Sequence, residues 1–177
     1  MLRERGCSGP GTPRVVFVCD GNTCRSPLAE VLARALFGEE SSCFLSAGLT
    51  ARTGAPAHPL AVAVAAARGL ALDEHRARPV GAVVGLGPVA WLIAMTRSQA
   101  VRLRAAGRIA GRAAVGILGA PGLDVAGPGP TPTCPEVADP WGGDVESYRR
   151  TAGQIVQLLE AWRPLLAGRG TAQGEGA

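Results

Sequence analysis

Apolar positions along this chain recur in two alternating rhythms. The run "RVVFVC", residues 14–19, is short and β-branched and predicts a strand. After a polar stretch comes "SPLAEVLARALF", where Leu28, Val31, Leu32, Ala35 and Leu36 form one helical stripe. Ser26 suits the N-cap of that helix and Pro27 its first position. "CFLSAG", residues 43–48, predicts a second strand, and "HPLAVAVAAARGL" a second helix with Gly69 as its stop. "VAWLIAM", residues 89–95, is the third strand, "RSQAVRLRAAG" the third helix with Thr96 as its cap, and "AAVGILGA" the fourth strand. Residues 121–143 are rich in Pro and Gly and predict a loop, whose length points to a functional role. The chain then closes on the helix "DVESYRRTAGQIVQLLEAWRPLL", with Val145, Tyr148, Ile155, Leu158, Leu159 and Trp162 on its inner face.

Strands that alternate with helices imply an α/β fold, a parallel sheet with helices on both faces. Ligands in such sheets sit at the carboxyl ends of the strands, and Cys19 falls at the end of the first strand. The expected organisation is a tail over residues 1–13, one domain over 14–167 and a second tail over 168–177. One stretch competes with this picture. From Pro79 to Thr96 the chain carries no charge, a length that can span a membrane. Two prolines and three glycines interrupt it, so it reads as a poor helix or loop over 79–88 leading into the third strand.

Composition narrows the class. A chain of 177 residues, 47% hydrophobic, fits one globular domain. All 18 basic residues are arginines, scattered along the chain, and the formal charge is only +4. That favours an anionic substrate over a nucleic-acid surface. Five cysteines without a regular framework point to a reducing compartment, and the charged, Gly/Pro-rich start has no apolar core for a signal peptide. The expectation is a cytoplasmic monomer bound to neither membrane nor nucleic acid.

The chemistry concentrates in "CDGNTCRS", residues 19–26. Read as a strand-to-helix turn, it uses Gly21 for positive φ and Asn22 for the left-handed region. Successive N–H groups then form an anion nest, the helix adds its positive end, and Arg25 adds a fork for two oxyanion oxygens. The same dipoles favour a thiolate on Cys19, and the Ser26 hydroxyl can donate to its sulfur. A thiolate on the floor of a phosphate cradle is placed for in-line attack on phosphorus. The Cys-x4-Cys spacing of Cys19 and Cys24 is not that of a zinc site, and neither His58 nor His75 lies nearby in sequence.

"CDGNTCRSP" resembles the loop C-x-G-N-x-C-R-S-P of the low-molecular-weight protein tyrosine phosphatases. The likeness continues through "SAG" at Ser46–Gly48, "GLALDEHRAR", "MT" at Met95 and "DPWGG" before Tyr148, over roughly residues 14–165. It implies a four-stranded parallel sheet and hydrolysis of a phosphorylated protein without cofactor or metal. Asp20, Gly21, Asn22, Thr23, Cys24 and Ser26 would then bind the phosphate. On spacing alone Asp139 either starts a turn or holds its carboxyl over the pocket. The resemblance makes it the general acid, then the base for water attacking a phosphocysteine. By the same resemblance Trp141 walls the pocket, Ser46 braces Asn22, and Cys24 can trap an oxidised Cys19; otherwise Trp141 is core and Cys24 a small buried residue. His58 and His75 read as structural.

Two positions depart from the pattern. A carboxylate at Asp20 would disfavour the thiolate if it entered the loop, so it is expected to point outwards. Thr23 replaces the aliphatic residue of many relatives and resembles the bacterial branch that removes phosphate from arginine. It is either a substrate selector or only a β-branched turn residue, which leaves phosphotyrosine and phosphoarginine both open. Arsenate reduction on the same fold would need relay cysteines, and only Cys43 and Cys134 follow Cys24. A catalytically silent phosphate sensor would lack the nucleophile or the acid, and both are present.

Overall fold

In the computed structural model of the protein, which describes residues 14–38, 43–106, 113–125 and 133–166, strands and helices alternate almost without exception. The order is β1 (Arg14–Cys19), α1 (Arg25–Phe37), β2 (Cys43–Gly48), α2 (Pro59–Ala66), α3 (Val80–Val84), β3 (Val89–Ala94), α4 (Arg97–Ala105), β4 (Ala114–Ile117) and α5 (Val145–Leu166). All strand pairs are parallel, in the order β2-β1-β3-β4. The expected tails, 1–13 and 168–177, lie outside the described residues.

From Val15 to Cys19 the β1 run is apolar and buried at every position because both faces of the sheet are covered. Val15 and Phe17 pack on one side against α1, α2 and α5, with Phe44, Tyr148, Ile155 and Trp162. Val16 and Val18 pack on the other, with Leu45, Val80, Val83, Leu92 and Leu103 from β2, α3, β3 and α4. The register brings Cys19 level with Gly48 and Val18 level with Ala94, which is level with Ile117. The four carboxyl ends therefore form one edge, with Cys19 in its middle.

Several local expectations are corrected. Ser26 is not the N-cap of α1: Cys24 takes that place, without a side-chain cap bond, and Ser26 is turned inward and fully buried. Its hydroxyl lies against the Cys19 sulfur rather than the N–H groups of the first turn. Residues 79–88 contain the short helix α3, whose Val80 and Val83 are buried. No helix among the described residues is long and apolar enough to cross a membrane. Thr96 does cap α4, accepting from Gln99 N at 3.3 Å. Val145, expected on the inner face of α5, is 37% exposed at the first position of that helix. Cys43 is disulfide-bonded, which departs from the reading of five reduced cysteines, whereas Cys19, Cys24 and Cys134 are free.

Candidate active site

Between Cys19 and α1 the chain makes one tight turn. Asn22 alone among non-glycine described residues has positive φ, at 55°. The left-handed step therefore falls on Asn22, not on Gly21, where an added Cβ would meet nothing closer than Thr23 Oγ1 at 3.4 Å. An asparagine tolerates that conformation because its side chain bonds locally. Asn22 Nδ2 donates to Ser26 Oγ and to Ser46 Oγ, each at 3.0 Å. Its Oδ1 accepts from Arg78 N at 2.9 Å, and His75 Nε2 bonds its carbonyl at 2.8 Å. Ser46 in turn donates to Glu30 Oε2 at 2.5 Å, and Arg34 pairs with Glu30 Oε1 at 2.7 Å. The loop is thus held from β2, α1 and the segment before α3 through one fully buried side chain.

The Cys19 sulfur faces donors. Asn22 N donates to it at 3.3 Å, and Ser26 Oγ lies 3.0 Å away. Ser26 Oγ is also 3.2 Å from the carbonyl of Ala47. One hydroxyl hydrogen serves only one of these acceptors, so it goes to the sulfur when that is anionic and to Ala47 when it is not.

Gly48 allows the neighbouring backbone to close on this loop. A Cβ there would stand 2.5 Å from Asp20 O and 3.0 Å from Asn22 Cβ. Leu49 N bonds Cys19 O at 2.9 Å and Thr50 N bonds Asp20 O at 3.0 Å, so the exit of β2 runs along the loop.

Arg25 begins α1 and is buried, 4% exposed. Its NH1 donates to Val137 O at 3.2 Å and its NH2 to Asp139 Oδ2 at 2.5 Å. Its Nε is buried with no hydrogen-bond partner among the described residues. A buried, unpaired guanidinium N–H is costly unless a ligand completes it. An oxyanion at the loop would do so. The segment carrying Asp139 is fastened at several points. Val137 N bonds Met95 O at 3.0 Å, and the Glu136 carboxylate accepts from Arg97 N at 2.6 Å at the start of α4. Gln154 Nε2 of α5 holds Glu136 O at 2.9 Å. Gly119 makes room: a Cβ there would meet Pro135 O at 2.0 Å. Asp139 Oδ1 accepts from Trp141 N at 3.2 Å.

The remaining predicted residues fall around this centre. Trp141 is 73% exposed, so it belongs to neither core. Cys24 is buried, its sulfur 3.3 Å from Tyr148 OH and 3.7 Å from Thr23 Oγ1. Burial pushes its thiol pKa up, which keeps it protonated. Thr23 is half-buried and its carbonyl accepts from His58 N at 2.8 Å, while the His58 ring stacks on Tyr148 at 5.0 Å. Asp20 turns towards α4, where it meets Gln99 and Arg102. Sequence reading missed the parts of Glu30, Arg78, Gln99, Arg102 and Glu136. Arg78 ends the quoted motif "GLALDEHRAR", and Glu30, a carboxylate with Arg34 four residues on, lies opposite the apolar stripe of its helix.

Comparison with known proteins fits this arrangement. The chain matches the sequence model of the family described as low molecular weight phosphotyrosine protein phosphatase over residues 14–169. It is 27% identical over 157 residues to the probable low molecular weight protein-tyrosine-phosphatase EpsP of Ralstonia nicotianae, covering 88% of this chain and 97% of that one. The YwlE arginine phosphatase from Geobacillus stearothermophilus superposes with a TM-score of 0.68 at 26% identity, over 86% of this chain and 92% of that one. A YwlE Cys-to-Ser mutant with a phosphorylated active-site serine gives a TM-score of 0.71 at 27% identity, over 86% and 95%. With the match running through every strand and helix described above, the chain belongs to the low-molecular-weight phosphotyrosine protein phosphatase family.

Proposed function

We propose that this phosphatase works through a phosphocysteine on Cys19, with Arg25 holding the phosphoryl group and Asp139 moving the proton. The observation that carries the reading is the unpaired Arg25 Nε, buried beside a loop whose donors face the Cys19 sulfur. A phosphoryl group entering the loop completes Arg25 and takes the place of the Asp139 carboxyl on NH2. Cys19 Sγ then attacks phosphorus. The S–P bond forms, the bond to the leaving oxygen or nitrogen breaks, and protonated Asp139 gives that atom its proton. Water next attacks phosphorus, passing a proton to Asp139, and the S–P bond breaks to release phosphate and the thiolate. The phosphorylated serine of the YwlE mutant supports phosphoryl transfer to the residue at this position.

The substrate is a phosphorylated protein. Thr23 favours phosphoarginine, because its hydroxyl can bond a guanidinium, and two of the compared structures are named arginine phosphatases. The exposed Trp141 ring suits a phosphotyrosine ring as second substrate. Arsenate reduction fits less well. Cys43 is disulfide-bonded and starts β2, five residues from the end level with Cys19, about 16 Å at 3.3 Å per residue.

The test is hydrolysis of p-nitrophenyl phosphate. Cys19→Ser is expected to abolish turnover, and Asp139→Ala to slow esters of poor leaving groups by about 10²–10⁴-fold. Full turnover by Cys19→Ser would end the proposal.

A further inference from the structure

Asp20 directly follows the nucleophile and is held more firmly than an outward-pointing loop residue needs to be. Its Oδ2 accepts from Gln99 Nε2 at 2.6 Å, and its Oδ1 pairs with Arg102 NH1. Gln99 is itself fixed, with its Oε1 accepting from Met95 N at 3.1 Å. From this anchored position Asp20 Oδ2 also lies 3.6 Å from Arg25 NH2. The same NH2 carries Asp139 at 2.5 Å. One guanidinium nitrogen therefore faces two carboxylates, and they differ in freedom. Both are partly exposed, Asp139 at 49% and Asp20 at 41%, but among the described residues the Asp139 carboxyl has one hydrogen bond beyond Arg25, from Trp141 N. Asp20 is tied to α4 through both oxygens and to the exit of β2 through its carbonyl. Of the two carboxylates on Arg25, Asp139 is the more loosely tied and Asp20 the more firmly held.

We propose that Asp20 is a positioning residue that steadies the outer edge of the Arg25 guanidinium and, as a fixed negative charge beside the bound phosphate, keeps phosphate affinity low enough for product release. Arg102 sets the size of this effect by neutralising part of that charge. The inference rests on the phosphatase reading above, since it assigns the Arg25 cradle to phosphate. Burial pushes the Asp20 carboxyl up, but the hydrogen bonds from Gln99 and Arg102, with the charges of Arg102 and Arg25, hold it below the ordinary value. The residue is therefore charged throughout the neutral range. A carboxylate placed there opposes a phosphate dianion at short range, and salt screens the part that passes through solvent.

The experiment measures binding of inorganic phosphate by calorimetry, together with its inhibition of p-nitrophenyl phosphate hydrolysis. At low ionic strength Asp20→Asn is expected to tighten phosphate binding by about three- to tenfold and to lower KM in parallel, and the gain should shrink near 1 M salt, where the screening length is about 3 Å. Arg102→Gln is expected to weaken phosphate binding in the wild-type background and clearly less in Asp20→Asn, since it acts through Asp20. A merely structural Asp20 would make its variant bind phosphate more weakly, whatever the salt. Unchanged or weaker binding by Asp20→Asn, or additive effects of the two substitutions, overturns the inference. If Asp20→Asn does not fold, Asp20→Ser and the Arg102→Gln measurement carry the same test. Loss of hydrolysis in the wild type with this binding pattern intact would overturn the phosphatase reading and leave the role of Asp20 standing. Hydrolysis without the pattern would do the reverse.

Discussion

Thr23 lies in the turn between Cys19 and α1 and is half-buried. Its carbonyl is held by His58 N at 2.8 Å, so its backbone is fixed and its side chain is the variable. The hydroxyl lies 3.7 Å from the buried Cys24 sulfur, a weak contact that leaves it available to a polar substrate group. An isoleucine would keep the β-branch and lose the hydroxyl. Thr23→Ile is therefore expected to shift the ratio of kcat/KM for phosphotyrosine over phosphoarginine peptides upward by about tenfold or more, within the range that pocket contacts supply. Competition between the two peptides measures it, and an unmoved ratio would place selection elsewhere, Trp141 being the next residue to test.

At the level of elements, the decisive contact is the exit of β2 against the phosphate loop. Gly48 is buried in the parallel register opposite Cys19. Because an alanine there would bring Cβ to 2.5 Å from Asp20 O, backbone must move, and the backbone that moves holds the nucleophile. Gly48→Ala is expected to cost about 1–3 kcal/mol in urea unfolding, the usual range for overpacking. It should also lower kcat/KM for p-nitrophenyl phosphate, since the bond from Asn22 N to the Cys19 sulfur would be disturbed. Normal stability and normal turnover in this variant would show that the loop tolerates displacement. Helix α4 is the other element that reaches the centre from outside. Arg97 at its start holds Glu136 of the acid-bearing segment, and Gln99 and Arg102 hold Asp20 of the phosphate loop. One helix thus holds both the residue after Cys19 and the segment that carries Asp139.

For the whole molecule, the buried network under the loop couples stability to pH. Burial lowers the His75 pKa from 6.5, and its bond to the Asn22 carbonyl only partly offsets this. The native state therefore prefers neutral His75, while the unfolded chain takes up a proton below the ordinary value. Stability is full above about pH 6.5 and falls as pH drops from there through the lowered native value. His75→Gln keeps an N–H for the Asn22 carbonyl and removes the titration. The fall in Tm between pH 7 and pH 5 should be smaller in that variant, by about 2–4 °C for each kcal/mol of linkage removed in a domain of this size. Thermal scans at the two pH values check this; equal falls would place the acid sensitivity in other groups.

The sequence by itself determined the alternation of strands and helices, the coverage of both sheet faces and the placement of Cys19 at a strand end. Each follows from local periodicity, because the unbroken apolar run Val15–Cys19 of β1 can be satisfied only between two layers of helix. It also marked Arg25 and Asp139 through motif likeness. What it left undecided is what depends on distant segments meeting at one sheet edge. Asn22 rather than Gly21 takes the left-handed step because Ser26, Ser46, Arg78 and His75 all converge on it. Glu30 is buried because β2 covers the side of α1 that periodicity assigned to solvent. Asp139 reaches Arg25 across 114 positions only because Val137 and Glu136 are fastened to the ends of β3 and α4. Asp20, one residue from the nucleophile, finds its partner 82 positions away on α4. Periodicity fixes which face a residue lies on, whereas a charge finds its partner only once the tertiary structure has brought the two surfaces together.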